Sequence, residues 1–185
     1  MKAESQASST TIYSRVNVSM VSLKWGDILS TLLPGALALF GVAPYFPLLD
    51  GYMKNLDKIN VPSGVALLIA ATLAGGVLEA FTRITWEPLW LNRKCPIPNI
   101  LGKIDTKNLD LYEREVQSSY KYATFYANFA WAIVLLFVGR LFTGAALFSM
   151  ANLILGLVFM LLLDASYVQW TYFVNYLKRV FEKEW

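Results

Sequence analysis

The chain has 185 residues, of which 56% are hydrophobic and 16% are charged, and its formal net charge is +3. Soluble domains are about 45–50% apolar and about 25% charged, so the composition argues against an ordinary soluble globular protein. There is no histidine and one cysteine, Cys95, which excludes a Ser-His-Asp triad, a Cys-His pair, a histidine-ligated metal centre and an intrachain disulfide within this chain. We therefore expect no enzymatic activity and no cofactor.

Four segments of the chain lack Asp, Glu, Lys and Arg. They cover residues 28–49, 59–78, 122–139 and 141–163. A bilayer core about 30 Å thick is crossed by about 20 helical residues, so each segment is long enough to span it, the third with help from its flanking residues. The sequence predicts an all-α protein with four transmembrane helices. The predicted spans are about 26–48, 62–84, 120–141 and 144–166.

The positive charges predict the orientation of these spans. Thirteen of the sixteen Lys and Arg residues precede the first span, lie between the second and third spans, or follow the fourth. Because positively charged segments stay in the cytoplasm, both termini and the long middle loop are expected there. Residues 1–22 are polar and serine-rich, which predicts a flexible arm, and residues 23–185 are expected to form one membrane domain. The arm lacks the apolar region of a cleavable signal, so the first span is expected to act as its own insertion signal.

The first two spans carry irregularities and small residues. Pro34 and Gly35 predict a kink in the first helix, because proline removes a backbone hydrogen bond and clashes with the preceding turn. In the second span, the small residues at 70–76 predict a face on which helix backbones approach closely. Glu79 and Arg83, four residues apart, predict a local ion pair, with a water-filled passage at Glu79 as the alternative.

Residues 86–98 contain three prolines and two tryptophans, and we expect them to run irregularly along the inner membrane surface. The third and fourth helices are expected to extend beyond the membrane, since the sequence after Asp164 has neither glycine nor proline as far as Glu184. These extensions, residues 106–121 and 165–184, predict an antiparallel cytoplasmic stalk.

Apolar residues of the second extension follow a coiled-coil-like spacing at Trp170, Phe173, Leu177 and Val180. This seam could pack on the third helix, on another subunit or on a separate protein. The stalk is also the expected surface for a cytosolic partner. Its predicted contributors are Tyr112, Glu113, Arg114, Phe173, Leu177, Arg179 and Phe181. Basic and acidic residues alternate at its end, so we expect no direct binding to nucleic acid.

Seven charged or amide side chains within the spans or at their ends are candidates for an intramembrane role. They are Asp27, Glu79, Arg83, Asn128, Arg140, Asn152 and Asp164. The charged members are near helix ends, where pairing and snorkelling can satisfy them. The two asparagines are expected at mid-depth in interhelical hydrogen bonds, and wetting a pore formed by several subunits is the alternative.

Two functions remain open at this point. The long cytoplasmic helices and the missing catalytic groups favour an oligomeric scaffold or sensor that recruits or regulates a cytosolic effector. The alternative is a channel-like or membrane-disrupting effector that permeabilises the membrane on activation. Membrane lipid and further copies of the chain are expected partners in both cases.

The motifs Trp25-Gly26-Asp27 and Leu32-Leu33-Pro34-Gly35, the four spans and the aromatic-basic tail from Tyr172 to Phe181 resemble a known group. They are similar to small four-helix membrane subunits of bacterial antiphage defence systems, above all the membrane-subunit family of the Kiwa system (KwaA). The resemblance implies a homotetramer in the bacterial inner membrane that senses phage attack and works with a cytosolic, DNA-binding, KwaB-like subunit. Four-helix effectors of nucleotide-signalling defence systems have a similar layout and keep the pore alternative open.

Overall fold

The computed structural model describes residues 25–97 and 109–181, apart from the side chains of residues 25–29 and 117. Every regular element in these ranges is helical. We number the helices α1 (Trp25–Val42), α2 (Pro47–Lys54), α3 (Val61–Lys94), α4 (Leu109–Phe142) and α5 (Met150–Phe181). Two 3₁₀ turns, Ala43–Tyr45 and Leu56–Lys58, flank α2. The predicted all-α class is confirmed for these residues.

Three helices, α3, α4 and α5, are long and apolar enough to cross a membrane. The apolar stretch that includes most of α1, Ser30–Tyr45, is shorter than these. A fourth span and the orientation of the chain therefore stay predictions. Helices α4 and α5 have 34 and 32 residues, more than the about 20 needed to cross a bilayer core. These lengths are sufficient for the predicted extension beyond the membrane, which itself stays a prediction.

The chain divides into two units, residues 1–30 and 31–185. In the first unit the structure describes only residues 25–30, the beginning of α1. The predicted flexible arm at 1–22 lies outside the described residues, as do residues 106–108 and 182–184 of the predicted stalk.

Helix α1 ends six residues before the predicted end of the first span. It stops at Val42, where a 3₁₀ turn containing Pro44 follows, and Pro47 then begins α2. Proline lacks the N–H that would continue the helix, which explains the early end. The helix runs through Pro34 without interruption, and the predicted kink there stays a prediction. Both Pro34 and Gly35 are buried.

Close backbone contact holds α1, from Thr31 onward, against two helices. A Cβ atom on Gly35 would overlap the carbonyl oxygen of Ala71 in α3, and one on Gly75 would overlap that of Thr31. On the other side, Gly41 lies against the α4 backbone, where a Cβ on Gly139 would overlap the Gly41 carbonyl oxygen. Small residues thus allow α1 to pack between α3 and α4. The contact with α3 involves the small residues of the second span, as predicted.

Helix α3 continues where the sequence predicted irregular structure. Asn60 caps its start by accepting a hydrogen bond from the Ser63 backbone N–H at 3.0 Å. After Phe81 the backbone is π-helical over Thr82–Leu91, with Pro88 inside, and a final α-helical turn, Asn92–Lys94, follows. The expectation for residues 86–98 is therefore wrong as far as Lys94. The wider π-helical turn relieves the clash that a proline ring makes in an α-helix.

The loop between α4 and α5 is closed by a cap on each side. Gly144 has φ of 85°, and the N–H groups of Gly144 and Ala145 donate to the carbonyls of Leu141 and Arg140, a Schellman motif. Ser149 then caps α5 through its hydroxyl, which accepts from the Asn152 N–H at 3.3 Å. The last helix begins at Met150, whereas the sequence placed the start of the fourth span at 144.

Helices α4 and α5 form an antiparallel pair with two different ends. At the loop end, which carries residues 43–60 and 143–149, the rings of Tyr45 and Phe142 lie 4.3 Å apart. At the opposite end, here called the terminal end, Trp170 and Leu91 belong to one buried cluster. Between the ends, the Ser166 hydroxyl donates to the Ala123 carbonyl at 2.9 Å and joins α5 to α4.

Candidate functional site

An aromatic core at the terminal end joins the last three helices. Its buried members come mainly from one side of α5, with one residue each from α3 and α4. They are Leu91, Ala123, Trp170, Phe173, Val174, Leu177 and Phe181. Partly buried aromatic rings surround them, among them Trp86, Trp90, Tyr120 and Tyr167. The predicted coiled-coil-like seam therefore packs within the chain, which was one of its three possible partners.

This packing changes the predicted partner surface. Phe173, Leu177 and Phe181 are each no more than 3% exposed, so these three side chains form the core of the chain and are not accessible to a partner. Their prediction as contributors is wrong because an apolar spacing of this kind serves equally for an internal and an external seam. Tyr112 is partly buried against the same core.

The remaining predicted contributors, Glu113, Arg114 and Arg179, are exposed. The structure adds residues that the sequence reasoning missed on the outer side of α5. Tyr172 is 63% exposed, and Val168 and Asn175 are also exposed. The helical periodicity could have identified these residues, because positions 168, 172, 175 and 179 lie on the side of the helix opposite the seam.

Two tethers fix the terminal end of α3 to the other helices. The indole Nε1 of Trp170 donates to the Cys95 carbonyl oxygen at 2.9 Å. The Tyr120 hydroxyl donates to Glu87 Oε1 at 2.8 Å. Because both donors belong to buried or partly buried rings, each hydrogen bond satisfies a polar group that has little access to water. The segment just before the undescribed residues 98–108 is thereby held against α4 and α5.

A charged and aromatic layer surrounds these tethers. Arg83 Nη2 lies 2.6 Å from Glu79 Oε1, which confirms the predicted local ion pair. The Arg83 guanidinium also lies 5.9 Å from the centre of the Tyr120 ring. One turn beyond Trp90, the ammonium of Lys94 lies 4.6 Å from the centre of that ring. Cations set against aromatic rings are attracted by the negative face of each ring.

The two asparagines lie in different settings. Asn128 Oδ1 accepts from the Thr82 hydroxyl at 2.6 Å, an interhelical hydrogen bond between α4 and α3, as predicted. Asn152 Oδ1 accepts from Arg140 Nε at 2.9 Å and joins α5 to α4. Asn152 is the third residue of α5, so it lies at the start of this helix and not at its middle, as the sequence had predicted for the fourth span. Both side chains are buried and bonded within the chain, which does not favour a role in wetting a pore.

The other two predicted polar positions differ. Asp164 is exposed on α5, with Leu161 and Val168 exposed one turn to either side. It forms no ion pair with any residue in the described ranges. The side chain of Asp27 belongs to the part of α1 whose side chains are not described.

The terminal end combines a buried aromatic core with exposed polar side chains. Within residues 25–97 and 109–181, no group of three or more His, Cys, Asp or Glu side chains comes together that could hold a metal ion. The aromatic core lies beneath exposed polar and aromatic side chains of α4 and α5. Such a surface is suited to contact with another macromolecule.

Comparison of the chain with protein-family models, curated proteins and solved structures finds no match.

Proposed function

We propose that this protein is a membrane-embedded scaffold or sensor subunit that presents the outer side of its terminal end to a cytosolic protein. The observation that carries the proposal is the separation of two sides of α5. The inner side, with Trp170 and Leu177, is at most 1% exposed, while Tyr172 two residues after Trp170 is 63% exposed. A side chain of this size at the surface of a rigid element is typical of an interface anchor.

The partner surface in this proposal consists of Glu113 and Arg114 on α4 and Tyr172, Asn175 and Arg179 on α5. It differs from the surface expected from the sequence because it omits the buried or partly buried residues and adds two exposed ones. The omitted residues are Tyr112, Phe173, Leu177 and Phe181, and the added ones are Tyr172 and Asn175. The surface carries charges of both signs together with one aromatic ring, a composition that suits a protein partner better than the backbone of a nucleic acid.

The test is affinity purification of the tagged full-length chain in mild detergent, with identification of bound proteins and the mass of the intact complex. We expect a homo-oligomer that carries a stoichiometric cytosolic protein. The double variant Arg114→Glu and Arg179→Glu should lose that protein at least tenfold. The matched control is Arg93→Glu, another exposed arginine outside the proposed surface. Unchanged recovery with the double variant would refute the surface.

The antiphage role is a further part of the proposal, and its support is the sequence resemblance to Kiwa-type membrane subunits. It predicts that cells expressing the chain with its genomic neighbours resist phage infection, and that the double variant at Arg114 and Arg179 removes this resistance. The partner recovered in the purification would then be a DNA-binding protein. A plating assay with phage, with and without the chain, is the direct measurement.

A second candidate function is a pore made by several copies of the chain. Asp164 favours it, because an exposed carboxylate on an apolar side of a helix that can cross a membrane requires either a polar partner or water. The test is ion flux through liposomes that contain the purified protein. If copies of α5 line a conduction path, wild type conducts and Asp164→Asn changes the preference for cations. If the liposomes stay impermeable, the pore is refuted and the scaffold is the one candidate function that remains.

A further inference from the structure

Two adjoining hollows lie at the loop end, beside the start of α3. The larger has a volume of about 510 Å³ and the smaller about 370 Å³. Both are bordered by Tyr52 of α2 and by Ser63 of α3. Because they share these two side chains, we treat them as one groove, here called the loop-end groove.

The two parts of the loop-end groove differ in chemistry. The smaller part follows one side of α3 and is lined by Pro62, Ala66, Leu67 and Ala70. The short alanine side chains leave room between bulkier neighbours. The larger part, here called the mouth of the groove, has a mixed lining, with Asn55, Lys58 and Asn60 beside the apolar Pro47, Leu48 and Ile59. The groove is therefore mainly apolar along α3 and carries its charged and amide side chains at the mouth. This division suits an amphiphilic ligand.

The length of the apolar part suits a lipid chain. From Val61 to Ala70 a helix rises about 13 Å, at 1.5 Å per residue. If α3 crosses a bilayer from its first turn, this distance reaches most of the way through one leaflet, whose hydrocarbon layer is about 15 Å thick. The mouth then lies at the level of the lipid headgroups.

Lys58 gives the groove its charge preference. Within the described ranges its ammonium forms no ion pair, whereas Lys54, in the preceding helix, is paired with Asp50. The side-chain oxygen of Asn60 accepts the Ser63 N–H, so the amide N–H groups are the part of this side chain that could donate to a ligand. A cation and a neutral donor at one mouth complement a phosphate group.

We infer that the loop-end groove binds one anionic phospholipid from the leaflet at this end, with an acyl chain along Ala66 and Ala70 and the phosphate beside Lys58. The inference rests on the membrane placement in the proposed function, and it does not depend on a cytosolic partner. It assigns a lipid site to α2 and α3 at the opposite end from the proposed partner surface.

The experiment measures lipid retained by the full-length protein. The protein is exchanged into nanodiscs of mixed phosphatidylglycerol and phosphatidylcholine and then extracted in mild detergent. Native mass spectrometry measures the mass of the protein with its bound lipid. We expect one phosphatidylglycerol per chain, preferred at least fivefold over phosphatidylcholine. Lys58→Glu should remove the preference, and Ala66→Phe, which fills the apolar part, should remove the retained lipid.

Two controls keep the result specific. Arg93→Glu changes the charge of an exposed residue at the opposite end, and Ala80→Phe enlarges an exposed alanine of α3 outside the groove. Both should retain lipid as wild type does. Equal retention by Ala66→Phe and wild type, or an unchanged headgroup preference in Lys58→Glu, would overturn the inference. If Ala66→Phe does not fold, Lys58→Glu decides alone.

Membrane placement is checked separately by fractionation of the cells. A chain found in the soluble fraction refutes the proposed membrane function and this inference together. A membrane-bound chain that retains no lipid specifically refutes the loop-end groove as a lipid site and leaves the proposed function intact.

Discussion

Two neighbouring glycines of α3 have opposite roles. Gly75 faces α1, where an added Cβ would overlap the Thr31 carbonyl, and Gly76 has nothing within 4 Å of the same position. The sequence predicted a small-residue face across 70–76 but could not separate these two residues. Lipid-facing and protein-facing positions are equally apolar in a membrane helix, so composition alone does not show which side packs.

The pair allows a stability prediction with its own control. Gly75→Ala should destabilise the protein by about 1–3 kcal/mol, because the added methyl forces α1 and α3 apart. Gly76→Ala should leave stability unchanged or raise it by up to about 1 kcal/mol, since alanine favours the helix. Thermal unfolding of both purified variants in detergent measures the difference. Equal melting temperatures would contradict the close contact of the two backbones.

A second prediction concerns the hydrogen bond between Tyr120 and Glu87. Tyr120→Phe leaves a partly buried carboxylate without its hydroxyl donor, which should cost about 1–3 kcal/mol. Tyr122→Phe is the control, because Tyr122 is 55% exposed and its hydroxyl can bind water or lipid headgroups. Chemical denaturation followed by tryptophan fluorescence reports on the region directly, since Trp86 and Trp170 both pack into this end. Identical unfolding midpoints would refute a stabilising role for the bond.

At the scale of elements, the extension of α5 was predictable but its partner was not. The absence of glycine and proline after Asp164 indicated an uninterrupted helix, and the structure has it as far as Phe181. The apolar spacing from Trp170 onward indicated a seam. Which surface covers the seam depends on where α3 continues, and the π-helical segment around Pro88 was predicted to be irregular. Because this expectation was wrong, the sequence did not predict that Leu91 and Trp170 belong to one buried cluster.

Substitution by alanine should affect stability differently on the two sides of α5. Trp170→Ala removes a buried ring and its bond to Cys95, and should destabilise the protein by about 3–5 kcal/mol. Tyr172→Ala should leave the melting temperature within error while weakening recovery of the cytosolic partner. Thermal unfolding and affinity purification of the same two preparations separate the effects. A large loss of stability in Tyr172→Ala would show that this ring belongs to the core.

The loop between α4 and α5 shows what local signals can give. Gly144 and Ser149 are ordinary signals for a helix end and a helix start, and both act as such in the structure. Charge-free length alone cannot detect these caps, because every residue from 141 to 163 is uncharged. The candidate site was predictable to the same degree. Helix ends and ion pairs within one helix can be predicted from the residue types and their spacing. Contacts between helices that are far apart in the sequence cannot.

For the whole molecule, the distribution of positive charge in the sequence predicts that the loop end lies outside and the terminal end in the cytoplasm. The described helices alone leave the side of the N-terminus undecided. If α3 and α4 both cross the membrane, residues 43–60 and 143–149 lie on the same side whether or not α1 crosses.

Single-cysteine labelling tests this arrangement, since only Cys95 must first be replaced by serine. In intact cells, a membrane-impermeant maleimide should label Ser149→Cys and should not label Arg179→Cys. A third variant, Thr10→Cys, tests the fourth span, because its thiol is protected only if α1 crosses the membrane. Labelling after lysis confirms that each thiol can react. A reactive Thr10→Cys in intact cells would reduce the number of spans to three.

The packing of α1 against α4 can form only late in synthesis. Gly41 rests on the backbone around Gly139, and this part of α4 leaves the ribosome about 100 residues later, after roughly 5–20 s at about 5–20 residues per second. During that interval the newly made first helix has no complete binding surface within its own chain. If α1 enters the membrane, lipid or the insertion machinery must hold it until α4 has been made, so premature release of the nascent chain would leave α1 exposed to proteolysis.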